Sequence, residues 1–106
     1  MAGTRVIKNE DISQAIIAVP EGHSHLRLAL TTKDGDTVIL QEAALAAVVR
    51  AYTTLKTHPV KRAVKLVSVK PVRLKEGYAK DQLLEVELAD PEVAAELSAL
   101  LDAIAR

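Results

Sequence analysis

Glu21, His23 and His25 have the residue types and the spacing of a metal site. They lie two positions apart, so an extended backbone would point all three side chains the same way, as a facial triad of ligands requires. His58 could add a fourth ligand. A proline and a glycine flank the cluster and indicate a turn, where solvated histidines are the alternative. The pattern predicts a small metal-dependent enzyme only if the fold fixes these side chains together.

A basic segment from Lys56 to Lys80 is the second feature that could do chemistry, because it holds eight basic residues and a single acid, Glu76. Clustered cations on a strand and its flanking turns can follow a phosphate backbone. The residues that would contact nucleic acid are Lys61, Arg62, Lys65, Lys70, Arg73 and Lys75.

Two observations weigh against the nucleic-acid interpretation. The chain has no Phe, no Trp and two Tyr, and so lacks the aromatic platforms on which bases stack. In addition, Lys65 and Arg73 could face Glu85 and Glu87 across a hairpin, where opposite charges attract. The segment from Asp81 onward carries seven acids against one base. The charge split therefore also predicts self-association between a basic and an acidic patch.

The remaining chain offers little for catalysis. Its serines lack a nucleophile-elbow setting, and its four glycines are too scattered to cradle a phosphate. Tyr78 is the exposed aromatic expected to mark a ligand contact, unless it covers the edge of a core. The sequence therefore favours a protein that is not an enzyme and needs no cofactor, although carboxylates gathered by the fold would leave catalysis open.

Length and composition predict one soluble domain over residues 1–106, of which the first ten are a disordered lead or an edge strand. The chain is 49% hydrophobic and 26% charged, with a formal net charge of zero. No apolar run approaches the roughly 18 residues of a membrane span, and the N-terminus lacks a signal-peptide core. Zero cysteines exclude thiol catalysis and disulfides. We expect a cytoplasmic protein that does not enter the membrane.

The elements that must position these residues follow from hydrophobic periodicity. Residues 12–19 fit either a helix or a strand, and the turn that follows them favours a strand. The Asp-Gly pair in residues 33–36 predicts a tight hairpin between strands at 26–32 and 37–40. A helix is predicted from about 41 to 56, with one apolar stripe: Leu45, Val48, Val49, Tyr52 and Leu55.

The second half repeats this order. Residues 63–74 are rich in β-branched side chains and predict the central strand of the fold, with a bulge or a missing partner at Pro71. A polar loop and a strand at 83–88 follow. Asp90 and Pro91 begin a helix that extends to about residue 105, and its apolar stripe consists of Val93, Leu97, Leu100, Leu101 and Ile104.

These elements predict an α+β fold, in which a mostly antiparallel sheet carries two helices on one face and the strand-strand-helix order occurs twice. Apolar residues on both faces of the central strand suggest that a second copy covers the other face. The sequence thus favours a non-catalytic binding or regulatory module, acting as a homo-oligomer, most simply a dimer, with a protein or small-ligand partner. The alternatives are the nucleic-acid-binding protein and the metal-dependent enzyme described above.

Overall fold

The computed structural model describes residues 3–70 and 81–104. These contain five strands, two α-helices and a short 3₁₀ helix, Asn9–Asp11. The chain divides into two compact units, Met1–Leu45 and Ala46–Arg106. In chain order they are β1 (Ile12–Ala18), β2 (Arg27–Thr32), β3 (Thr37–Gln41), α1 (Glu42–Thr57), β4 (Lys65–Val69), β5 (Gln82–Val86) and α2 (Asp90–Ile104).

The first unit is built on an antiparallel sheet in the order β1-β2-β3. The strand prediction for residues 12–19 is confirmed. The register aligns Ile17, Leu28 and Leu40 in one cross-strand row, and the next row on the opposite face aligns Ile16, Ala29 and Ile39. Both faces of this sheet therefore carry apolar side chains.

Glycine sets both turns of this sheet. Gly22 has φ +79° between β1 and β2, and Gly35 has φ +98° between β2 and β3, a backbone region that other residues rarely adopt. The Asp-Gly hairpin predicted from the sequence is confirmed. Thr32, which is 2% exposed, anchors this turn because its backbone N–H donates to Asp36 O over 2.8 Å.

Helix α1 begins directly after β3, one residue later than the periodicity predicted. Its first residue, Glu42, is held by a hydrogen bond of 2.6 Å from Leu26 N–H to Glu42 Oε1. An acid in the first turn also suits the positive end of the helix dipole. The apolar stripe does not become a buried seam: Ala47 is buried, whereas Val48 and Val49 remain about half exposed.

The second unit contains the antiparallel hairpin of β4 and β5. In the described residues β4 is hydrogen-bonded to β5 alone, so the prediction of a central strand over 63–74 is wrong there. The predicted bulge at Pro71 lies outside the described residues. Helix α2 begins at Asp90 as predicted, and the Asp90 carboxylate accepts a hydrogen bond from the backbone N–H of Arg62 over 2.7 Å.

The α+β class and the repeated strand-strand-helix order are confirmed, while the described strands form two sheets where one was predicted. The single-domain assignment stays a prediction. No helix within residues 3–70 and 81–104 has both the length and the apolar content needed to cross a membrane.

Candidate interaction surfaces

The predicted metal ligands lie in turns. Glu21, His23 and His25 occupy the connection between β1 and β2, where His23 N–H donates to Pro20 O over 3.0 Å and bends the chain. The extended backbone that would point the three side chains the same way is therefore interrupted. Across the described ranges, no three His, Cys, Asp or Glu side chains are grouped so that they could hold a metal ion.

His58 has a structural role at the end of α1. Its Nδ1 accepts hydrogen bonds from the backbone N–H groups of Val60 (3.0 Å) and Lys61 (2.8 Å). An imidazole nitrogen that accepts must be unprotonated, so this geometry places the ring hydrogen on Nε2. The side chain thereby fixes the loop that leads from α1 to β4.

Two lysines of the basic segment form ion pairs with acids of the same chain. Lys61 forms an ion pair with Glu85 on β5, which raises the pKa of Lys61. Lys65 pairs with Glu96 on α2, its ammonium lying 2.9 Å from the carboxylate. The prediction that Lys65 faces Glu85 or Glu87 across the hairpin is wrong, because the register sets Lys65 opposite Val86, and Glu85 pairs with Lys61.

The other predicted phosphate contacts differ in their surroundings. The guanidinium of Arg62 donates to carbonyl oxygens of its own loop, at His58, Pro59 and Lys61. Lys70 is exposed just beyond β4. Arg73, Lys75 and the predicted ligand contact Tyr78 lie outside the described residues.

A polar cluster that the sequence reasoning missed is centred on the β2–β3 turn. Arg5 reaches across to both acids of this turn, with Nη1 2.9 Å from Asp36 Oδ2 and Nη2 3.0 Å from Asp34 Oδ2. The Thr32 hydroxyl donates to Asp34. This hydrogen bond and then the Arg5 guanidinium lower the pKa of Asp34. The two acids on either side of Gly35 are visible in the sequence as a charged pair. Their partner Arg5 could not be predicted, because it lies 29 and 31 positions from them in the chain.

Helix α2 presents three leucines that are about half exposed. Leu97, Leu100 and Leu101 are 57%, 53% and 47% exposed, whereas Val93 and Ile104 on the same stripe are half-buried. We call these three residues the leucine patch. The helix also carries four acids and no base between residues 90 and 104.

A shallow, open groove of about 300 Å³ lies between α1 and the β4–β5 hairpin, within the second unit. We call it the α1–hairpin groove. Its helical wall consists of Ala47, Arg50, Ala51 and Thr54. The wall formed by the hairpin is apolar except for one carboxylate and consists of Val64, Leu66, Leu83, Leu84 and Glu85. Glu85 is paired with Lys61, and Arg50 forms no salt bridge with an acid of residues 3–70 or 81–104.

Comparison with known proteins assigns no function: no protein-family model, no curated protein and no solved structure matches this chain.

Proposed function

We propose that this protein is a non-catalytic binding module that acts as a homo-oligomer, most simply a dimer, in the cytoplasm. The leucine patch on α2 is the observation that carries the proposal. Scattered exposed apolar residues are normal on a soluble protein, but large residues contiguous on one helix face mark an interaction surface. A protein or small-ligand partner would then be bound by the assembled oligomer.

The energy available from the leucine patch sets the scale. Fully burying a leucine contributes about 1.5–3 kcal/mol, so burying the exposed half of three leucines contributes roughly 2–4.5 kcal/mol per copy. A twofold dimer uses the surface twice, which gives roughly 4–9 kcal/mol before the cost of association. A micromolar dimer requires about 8 kcal/mol net. The leucine patch must therefore pack against another apolar surface, and the interface must include further apolar residues.

Helix α1 carries a second set of exposed apolar residues. Val48, Val49 and Tyr52 are 50%, 51% and 55% exposed. Tyrosine is also a residue type enriched in binding hot spots. An assembly that buried these residues as well as the leucine patch would gain additional apolar area.

The oligomeric state tests the proposal. Sedimentation velocity over a range of protein concentrations is expected to show a dimer or larger species. Leu97→Glu places a charge in the leucine patch and is expected to yield a monomer. The matched control Ala99→Glu adds the same charge to the same helix, about 200° round from Leu97, and is expected to leave the oligomer intact.

A wild-type chain that sediments as a monomer at every concentration would contradict the proposal. Equal dissociation of the Leu97→Glu and Ala99→Glu variants would also contradict it, because charge alone would then explain the effect. Circular dichroism of both variants shows whether α2 remains folded.

A further inference from the structure

We infer that Asp34 is a site of spontaneous isoaspartate formation, and that Thr32 and Arg5 hold this site closed in the folded chain. The inference goes beyond the proposed function, because it concerns the β2–β3 turn and does not depend on the oligomer. Asp34 and Gly35 form the one Asp-Gly pair of the sequence, and the chain has no Asn-Gly pair. The modification is therefore expected at this turn before any other position.

Isoaspartate forms without an enzyme or a cofactor. The backbone nitrogen of the following residue attacks the carboxyl carbon of the aspartic acid side chain, so that a C–N bond forms and a C–O bond breaks. The amide proton and the carboxyl hydroxyl leave together as water, and a five-membered succinimide ring remains. Water then opens the ring. Opening at the side-chain carbonyl restores aspartate, and opening at the main-chain carbonyl leaves the backbone running through the side chain, one carbon longer.

Two features of the turn favour this chemistry. Gly35 has no Cβ to obstruct the attack of its own nitrogen, and a Cβ built there would meet nothing within 4 Å. The side chain of Asp34 is 62% exposed, so water reaches the ring that would form. Sequence and exposure alone therefore predict a labile Asp-Gly bond.

The hydrogen bonds of the turn oppose the reaction at both reacting groups. The attacking nitrogen is engaged, because Gly35 N–H donates to Thr32 O over 3.0 Å. The carboxylate of Asp34 accepts from the Thr32 hydroxyl and from Arg5 Nη2, which lies 3.1 Å from Oδ1 and 3.0 Å from Oδ2. The side chain cannot turn toward the nitrogen without losing these bonds. The bond from Thr32 and then the Arg5 guanidinium also lower the pKa of Asp34, which favours the carboxylate, a form that cannot lose its oxygen as water.

Arg5 is the part of this closure that can be released. It belongs to residues 3–8, which form neither helix nor strand, and it holds the turn only through exposed ion pairs to Asp34 and Asp36. Salt screens such pairs, and a segment without secondary structure opens more easily than a strand. Release of Arg5 would leave Asp34 with the Thr32 contact alone.

Isoaspartate formation can be followed during incubation at mildly acidic pH, with peptide mapping by electron-transfer fragmentation to separate the two isomers of equal mass. Arg5→Gln is expected to form isoaspartate at Asp34 about 2- to 5-fold faster than wild type, the effect typical of an exposed charge pair. The matched control Lys8→Gln removes an exposed cation of the same segment and is expected to keep the wild-type rate. Asp34→Glu cannot form the five-membered ring and should abolish the signal.

Urea provides the reference state for the same three chains. Unfolded wild type is expected to react at least about tenfold faster than folded wild type, because the folded chain reacts only when the turn opens. The rates of wild type, Arg5→Gln and Lys8→Gln should be equal in urea, since the contacts of the turn are then absent.

Equal rates for wild type in urea and in the folded state would overturn the inference, because the fold would give no protection. This comparison needs no variant, so it decides the question even where Arg5→Gln weakens the first unit. Equal rates for folded Arg5→Gln and Lys8→Gln would overturn the role of Arg5. Sedimentation tests the proposed function separately, and a monomeric wild-type chain would leave this inference in place.

Discussion

Replacing Thr32 by valine is predicted to destabilise the β2–β3 turn and to raise the pKa of Asp34. Thr32 is the one buried polar residue in the described part of the chain, at 2% exposure. Its hydroxyl donates to Asp34 and lies 3.2 Å from both Asp36 N and Asp36 O. Valine keeps the shape of the side chain and removes all three polar contacts.

The magnitude follows from the backbone contact that is lost. Removing the acceptor of the Asp36 N–H is expected to lower the free energy of unfolding by about 0.5–1.5 kcal/mol. For a domain of this size about 1 kcal/mol corresponds to a fall in Tm of roughly 4–8 °C. Urea denaturation and thermal melting of the two proteins measure this difference.

The pH dependence has a definite sign. The pKa of Asp34 is lowered by the hydrogen bond from Thr32 and then by Arg5, from an ordinary value of 3.8. A carboxyl with a lowered pKa stabilises the fold at pH above its ordinary value, and this contribution is lost as the pH falls through the folded pKa. The gap in stability between wild type and Thr32→Val should therefore narrow on acidification below about pH 4.

Carboxyl-detected NMR titration measures the pKa of Asp34 directly. Thr32→Val should raise it toward its ordinary value, and Thr32→Ser, which keeps the hydroxyl, should leave it low. Arg5→Gln should raise it as well. An Asp34 pKa that is the same in the wild type and the Thr32→Val variant would refute the reasoning.

Two further substitutions test local contacts of the second unit. His58→Ala removes the acceptor of two backbone N–H groups and should lower the free energy of unfolding by roughly 0.5–1.5 kcal/mol. His58→Asn, whose side-chain oxygen can accept a hydrogen bond, should recover part of this loss. An equal loss of stability in both variants would contradict the role of His58 as an acceptor. Glu85→Gln should lower the pKa of Lys61 toward its ordinary value, as followed by NMR of the Lys61 side chain, and an unchanged pKa would show that Glu85 does not hold it.

Local signals predicted the elements well because they depend on neighbours in sequence. The Asp-Gly pair required the positive φ found at Gly35, and the alternation of Leu28 and Leu30 placed them on one face of β2. The Asp90–Pro91 start of α2 is equally local, since proline fits the first turn of a helix and breaks its interior.

Contacts between elements were predicted poorly because hydrophobic patterning does not specify a partner. The β-branched content of residues 63–74 indicated a strand buried on both faces, yet β4 pairs with β5 alone in the described residues. The pairing register, which the sequence did not specify, places Lys65 opposite Val86, and Glu85 pairs with Lys61. The link from Arg5 to Asp34 spans 29 positions, and no local rule indicates it.

Salt dependence distinguishes self-association through the leucine patch from binding of nucleic acid through the basic segment. Lys61 and Lys65 are neutralised by carboxylates of the same chain, and α2 adds further acids beside them. Six phosphate contacts would weaken nucleic-acid binding at least about 10³-fold between 50 and 200 mM salt. Burial of leucines depends little on ionic strength, so the dimer should weaken by less than about fivefold over the same range.

Sedimentation of the protein alone and fluorescence anisotropy with labelled DNA and RNA, both at the two salt concentrations, measure these responses. A dimer that weakens more than tenfold would show that charge, and not the leucine patch, holds the copies together. Tight, steeply salt-dependent binding of nucleic acid that is lost on Lys61→Glu with Arg62→Glu would show that the in-chain ion pairs open to admit phosphate. In that case the basic segment would be the functional surface. A phosphate backbone could displace Glu85 from Lys61 and Glu96 from Lys65 only by contacting several cations of the segment at once.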